Sequence, residues 1–129
     1  MKKLLAILSV FIFANQASAD QVKLETGDVY YCVQTAAFQT DALYSKISEL
    51  DLKKFTLILT DEYLIMKNEA DIVTEMPIRQ RTETNVHVRV QEGNYMFSLT
   101  VYKGKMYFST ASAYEYIARM STGECDKFP

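Results

Sequence analysis

His87 is the only histidine in the 129-residue chain, and Arg89 stands two residues beyond it. A histidine serves as general base or ligand when the fold brings a carboxylate or a nucleophile to it. Here the flanking alternation puts it on the polar face of a strand, where a solvated side chain is the plainer expectation. The closest carboxylate groupings are Asp61-Glu62 and Glu69 with Asp71. Calcium needs a patterned loop of oxygen ligands, and the EF-hand spacing is missing. Turn chemistry accounts for Asp61-Glu62. A glycosidase pair is set by distance in space, and nothing in the sequence points to one. Ser109, Ser112 and Ser121 lack a nucleophile-elbow context. The sequence therefore predicts no catalytic set, no metal site and no cofactor.

Cys32 and Cys125 are the two cysteines. The N-terminus says which chemistry they meet. Met1-Lys2-Lys3 is a positive lead, Leu4 to Ala14 is an apolar run, and Ala17-Ser18-Ala19 is an A-x-A cleavage site. That is the layout of a signal peptide over 1–19, with cleavage between Ala19 and Asp20. The apolar run is too short for a bilayer span, which needs about 20 apolar residues. An exported chain meets an oxidising compartment, so one Cys32–Cys125 disulfide is expected. Periplasmic or secreted localisation follows, with one domain over 20–129.

Without Lys2 and Lys3 the chain keeps 12 basic and 16 acidic side chains, a net charge near −4. No basic stripe is present, so nucleic acid is not an expected partner. The charge serves solubility.

The elements that must position these residues centre on 86–110. Val86, Val88 and Val90 alternate with His87 and Arg89. Tyr95, Phe97, Leu99 and Val101 alternate with polar neighbours, as do Met106 and Phe108. Period-two alternation marks strands with one buried face. A four-residue loop at 91–94 would pair Val90 with Tyr95, Val88 with Phe97 and Val86 with Leu99. A two-residue turn at Lys103-Gly104 would pair Val101 with Met106 and Leu99 with Phe108. One apolar face then spans three strands. The opposite face gathers His87, Arg89, Tyr102 and Tyr107, with Arg89 opposite Met96, His87 opposite Ser98, Thr100 opposite Tyr107 and Tyr102 opposite Lys105. Tyr and Arg are enriched where proteins bind partners. An ordinary solvated face with favourable cross-strand pairs is the competing reading.

Elsewhere, Asp20 to Gly27 reads as a loose polar lead-in and Asp28 to Gln34 as the first strand, with Tyr30 and Cys32 on one face. Leu43, Ile47 and Leu50 sit at helical spacing after Thr40 or Asp41, predicting a short helix within 40–52. A hairpin follows over 53–67, turning at Asp61-Glu62 and pairing Leu59 with Leu64 and Leu57 with Met66. Residues 78–84, with Arg79, Arg81 and Glu83, read as an exposed or edge strand. Residues 112–121 fork. Alternation of Tyr114, Tyr116, Ala118 and Met120 favours a strand, whereas Ser112 with Glu115 resembles a helix capping box. The fold class is all-β: an antiparallel meander of about six to eight strands curling into a small barrel or half-barrel.

Tyr30-Tyr31-Cys32-Val33, Lys54-Phe55-Thr56-Leu57 and Gly123-Glu124-Cys125-Asp126-Lys127-Phe128 resemble a group of small exported bacterial proteins of unassigned function. That resemblance implies the paired cysteines and a final strand. Tyr30-Tyr31-Cys32 with Cys125 is also similar to the layout of the small periplasmic inhibitors of C-type lysozyme. Those have a Y-x-C-like first strand bridged to a C-terminal Cys and a Trp-containing segment, and this chain has no Trp. The expected function is a non-catalytic binding module whose partner is a small molecule or an envelope protein. An inhibitor of a cell-wall-degrading enzyme is the first alternative, and a small envelope hydrolase using His87 or a carboxylate pair is the second.

Overall fold

The computed structural model describes residues 23–82 and 87–129. The expected cleavage at Ala19 and Asp20 lies outside them, as does Val86. Nine strands account for most of the described chain: β1 Val29–Asp41, β2 Lys46–Glu49, β3 Lys54–Leu59, β4 Tyr63–Asn68, β5 Val73–Arg81, β6 His87–Glu92, β7 Tyr95–Tyr102, β8 Lys105–Tyr114 and β9 Ile117–Lys127. Strands β3 to β9 pair with their neighbours in order. β9 then returns to β1, which also pairs with β3, so eight strands close an antiparallel barrel. β2 stands outside that ring, hydrogen-bonded to the far end of β1 over Phe38–Asp41.

Alternation builds the interior. Tyr30, Cys32, Leu57, Leu59, Leu64, Met76, Val88, Val90, Phe97 and Leu99 are buried on the inner face. Phe55, Phe97 and Phe108 meet at the centre, with ring centroids 4.9 to 6.1 Å apart. The outer positions of the same strands include Lys54, Lys67, Glu75, Lys105 and Glu124. An apolar interior under a wall that carries charged side chains differs from a membrane barrel, whose lumen is polar. No helix among the described residues is long and apolar enough to cross a membrane.

The disulfide joins Cys32 to Cys125 across the β1–β9 seam, between directly opposed residues. The hairpin over β3 and β4 has the expected pairs, Leu59 with Leu64 and Leu57 with Met66. The β7–β8 register also agrees, with Leu99 opposite Phe108 and Val101 opposite Met106. Lys103 and Gly104 both take positive φ, 49° and 76°, as a twisted two-residue hairpin turn requires.

Five expectations need correction. The β6–β7 hairpin turns on Gly93-Asn94 alone, so Glu92 pairs with Tyr95, Val90 with Phe97 and Val88 with Leu99. Gly93 at φ 55° supplies the positive φ of a two-residue turn. The two-residue slip preserves each side chain's face but changes its partner. Residues 40–52 form a hairpin rather than a helix. Asp41 does cap, but its Oδ1 accepts the N–H groups of Leu43 and Tyr44 within the turn between β1 and β2. β5 is exposed along Arg79 and Gln80, as one half of the expectation had it, but it is no edge strand, since β4 and β6 pair with it on both sides. At 112–121 the strand reading holds over the helix, but Glu115 and Tyr116 form a turn inside it, separating β8 from β9. The fifth correction concerns the lead-in. Leu24 is fully buried in the core and plugs one barrel end, where Gly27 N–H donates to Leu59 O and Arg81 Nη2 donates to Leu24 O.

Candidate functional site: a hydroxyl-lined cleft on the barrel wall

Barrel closure extends the polar face across further strands. One outward row runs His87, Thr100, Tyr107, Glu124 and Val33 over β6, β7, β8, β9 and β1. The next runs Arg89, Ser98, Ser109, Thr122 and Ala36. Directly opposed side chains on one face lie within about 4.5–5.5 Å at Cβ, so each row is a continuous ladder. His87 and Arg89 therefore face Thr100 and Ser98 rather than the Ser98 and Met96 expected from the longer loop.

From β7 to β1 the second row is built from short side chains, and there it sinks between its taller neighbours. A cleft of ≈ 360 Å³ results, lined by Thr35, Ser98, Thr100, Tyr107, Ser109, Thr122 and Glu124, with Phe108 and Gly123 also bordering it. Two local features shape it. Thr35 is the extra residue of a β1 bulge, between Gln34 opposite Gly123 and Ala36 opposite Thr122, and its hydroxyl donates to Thr122 O at 3.3 Å. Bulges re-aim a strand where pairing changes, and here β1 leaves β3 for β2. Gly123 lets Val33 and the Phe108 ring approach its backbone, because a Cβ there would lie 2.5 Å from Phe108 Cε1.

His87 Nδ1 and Thr100 Oγ1 are 2.8 Å apart. No carboxylate bonds to His87 among the described residues. The hydroxyls of Ser98, Ser109 and Tyr107 make no side-chain hydrogen bond to a described residue. Arg89 Nε is buried without a hydrogen-bond partner among the described residues. Glu124 carries the one formal charge in the lining and is exposed.

Of the four residues expected on this face, Tyr107 lines the cleft and His87 and Arg89 end its two rows. Tyr102 lies nearer the β7–β8 turn, opposite Lys105 and 60% exposed, with Lys103 Nζ 5.4 Å from its ring. The sequence reading missed Glu124, Thr122 and Thr35. Their place depends on the β8–β9 and β9–β1 registers, which local alternation does not supply.

A second outer groove, ≈ 290 Å³, runs between Phe38 and Met120 and is bordered by Ala36, Thr40, Ala118 and Thr122. It is almost wholly apolar where the cleft is hydroxyl-lined. Among the described residues no group of three or more His, Cys, Asp and Glu side chains is placed to hold a metal ion.

The molecule is thus a disulfide-stapled, eight-stranded antiparallel β-barrel with a polar cleft on its outer wall. No protein family, curated protein or solved structure matches the chain.

Proposed function

We propose that this protein is an exported, non-catalytic binding module acting in the periplasm or outside the cell, and that the cleft around Tyr107 and Glu124 receives its partner. The observation that carries this reading is the pair of polar rows that meet in one recess, where the Ser98, Ser109 and Tyr107 hydroxyls bond to no described side chain. Unpaired polar groups around a concavity favour a ligand that supplies the missing hydrogen bonds. A compact wall with a packed apolar interior suits recognition on the surface rather than in a lumen.

The test begins with the protein purified gently from the envelope of an exporting cell. Its intact mass should lack residues 1–19. A native mass spectrum should show a retained small molecule or protein partner, lost from an Arg89→Ala/Tyr107→Ala double variant that still folds. Retention of the partner by that variant would contradict the assignment of the cleft.

A second reading is inhibition of a cell-wall-degrading enzyme. It is favoured by the Tyr30-Tyr31-Cys32 strand bridged to Cys125, the layout shared with the lysozyme inhibitors. Absence of inhibition of a C-type lysozyme at micromolar protein would remove it.

A further inference from the structure

We infer that the cleft accepts a sugar unit of a neutral glycan, an assignment that rests on the binding-module reading above. The ligand class follows from what the lining offers. Ser98, Ser109 and Thr122 stand side by side in one cross-strand row, and each hydroxyl both donates and accepts. A polyol is matched by such a row, because every ligand hydroxyl also needs one donor and one acceptor. Glu124 stands directly opposite Tyr107 on the adjoining row. Its carboxylate accepts from two neighbouring ligand hydroxyls, and charge-assisted bonds of this kind are the stronger ones. The half-buried Tyr107 ring supplies an apolar flank for the C–H face of a sugar ring, with its own hydroxyl at the wet edge.

The competing ligand classes fit less well. A phosphate or carboxylate would face Glu124, the one charged residue of the lining, while Arg89 lies outside the lining at the β6 end of the row, and like charges repel. An apolar ligand would leave the hydroxyl row unsatisfied, whereas the Phe38–Met120 groove offers it carbon. The volume of ≈ 360 Å³ lies near the lower end of the roughly 300–1,000 Å³ typical of ligand sites, so it suits one ring rather than a long segment.

The experiment is a titration of the oxidised, isotope-labelled protein with chitotriose, cellotriose and maltotriose, read from backbone amide shifts, with inorganic phosphate and a neutral tripeptide as comparators. At least one trisaccharide should shift the amides of Ser98, Ser109, Thr122 and Glu124. Glu124→Gln and Tyr107→Ala should each weaken that binding at least tenfold while amide dispersion stays native. Tyr44→Ala, on the exposed β1–β2 turn, should leave it unchanged. If phosphate or the tripeptide moves these amides and no sugar does, the glycan assignment fails and the binding-module reading stands. If a sugar moves the Phe38–Met120 groove instead, the site is wrong. If no probe moves the cleft, the glycan assignment fails, and the binding-module reading is decided by the native mass spectrum described above.

Discussion

Gly123 shows how one missing side chain shapes both core and cleft. A methyl group there would overlap Val33 O and press on Phe108. Both neighbours are pinned, one by the β1–β9 ladder and the other by stacking on Phe97 at 5.5 Å. Gly123→Ala should therefore destabilise the fold by about 1–3 kcal/mol, the usual cost of overpacking, measured by urea unfolding. Asp28 presents a different single-residue effect. Burial pushes its carboxyl pKa up, but Lys127, Tyr30 and the Glu25 N–H all reach its Oδ2, and together they hold it below the ordinary 3.8. A carboxyl depressed in the folded state stabilises above its unfolded pKa and loses that contribution as pH falls through the folded value. Asp28→Asn should flatten the loss of melting temperature below about pH 4, the region set by that ordinary value. An acid limb unchanged by the substitution would show that Asp28 is uncoupled from folding. Tyr30 is shifted the opposite way. Its burial, with the hydrogen bond to Asp28, holds the phenol protonated well above the usual 10, so its contribution is lost only at alkaline pH.

At the scale of elements, the strands were legible wherever alternation was unbroken and a turn carried its chemistry. Lys103-Gly104 fixed a correct register because Gly can take positive φ. Gly93-Asn94 carried the same kind of signal, but the polar Gln91-Glu92 beside it suggested a longer loop. Glu115-Tyr116 carries no such signal: Glu115 holds φ 50° without being Gly, so the turn was invisible. Helical spacing of Leu43, Ile47 and Leu50 misled for another reason. Leu43 is in an exposed turn and Ile47 is 74% exposed on a two-stranded extension, so their spacing reflects no common core. The N-terminal plug was equally hidden, because one leucine among polar residues has no periodicity. Its full burial gives a direct consequence. Leu24→Ala should cost about 2–5 kcal/mol, the range for emptying a buried leucine site, visible as a lowered unfolding midpoint. A neutral outcome would mean that the segment does not seal the barrel.

On the scale of the whole molecule, closure of the first strand on the last is the long-range event. The Cys32–Cys125 link sits on that seam and spans 93 residues. Cross-linking so long a loop stabilises chiefly by restricting the unfolded chain, by roughly 4–5 kcal/mol on the chain-entropy estimate. The Cys32→Ala/Cys125→Ala variant should accordingly melt well below the oxidised protein, as calorimetry would show. Equal melting temperatures would mean that the barrel closes without its staple. The pairing was legible in the sequence from two cysteines behind a stretch that reads as a signal peptide. The cleft was only half legible, because His87, Arg89 and Tyr107 come from a local meander whereas Glu124, Thr122 and Thr35 join them through closure.

The most direct test of the Tyr107–Glu124 cleft as the binding surface is hydrogen–deuterium exchange of the oxidised protein, with and without a soluble envelope extract. Added protection confined to peptides covering 96–109 and 120–125 is the predicted result. Protection at 36–47 and 116–119 instead, around the Phe38–Met120 groove, or no protection in either region, would contradict it.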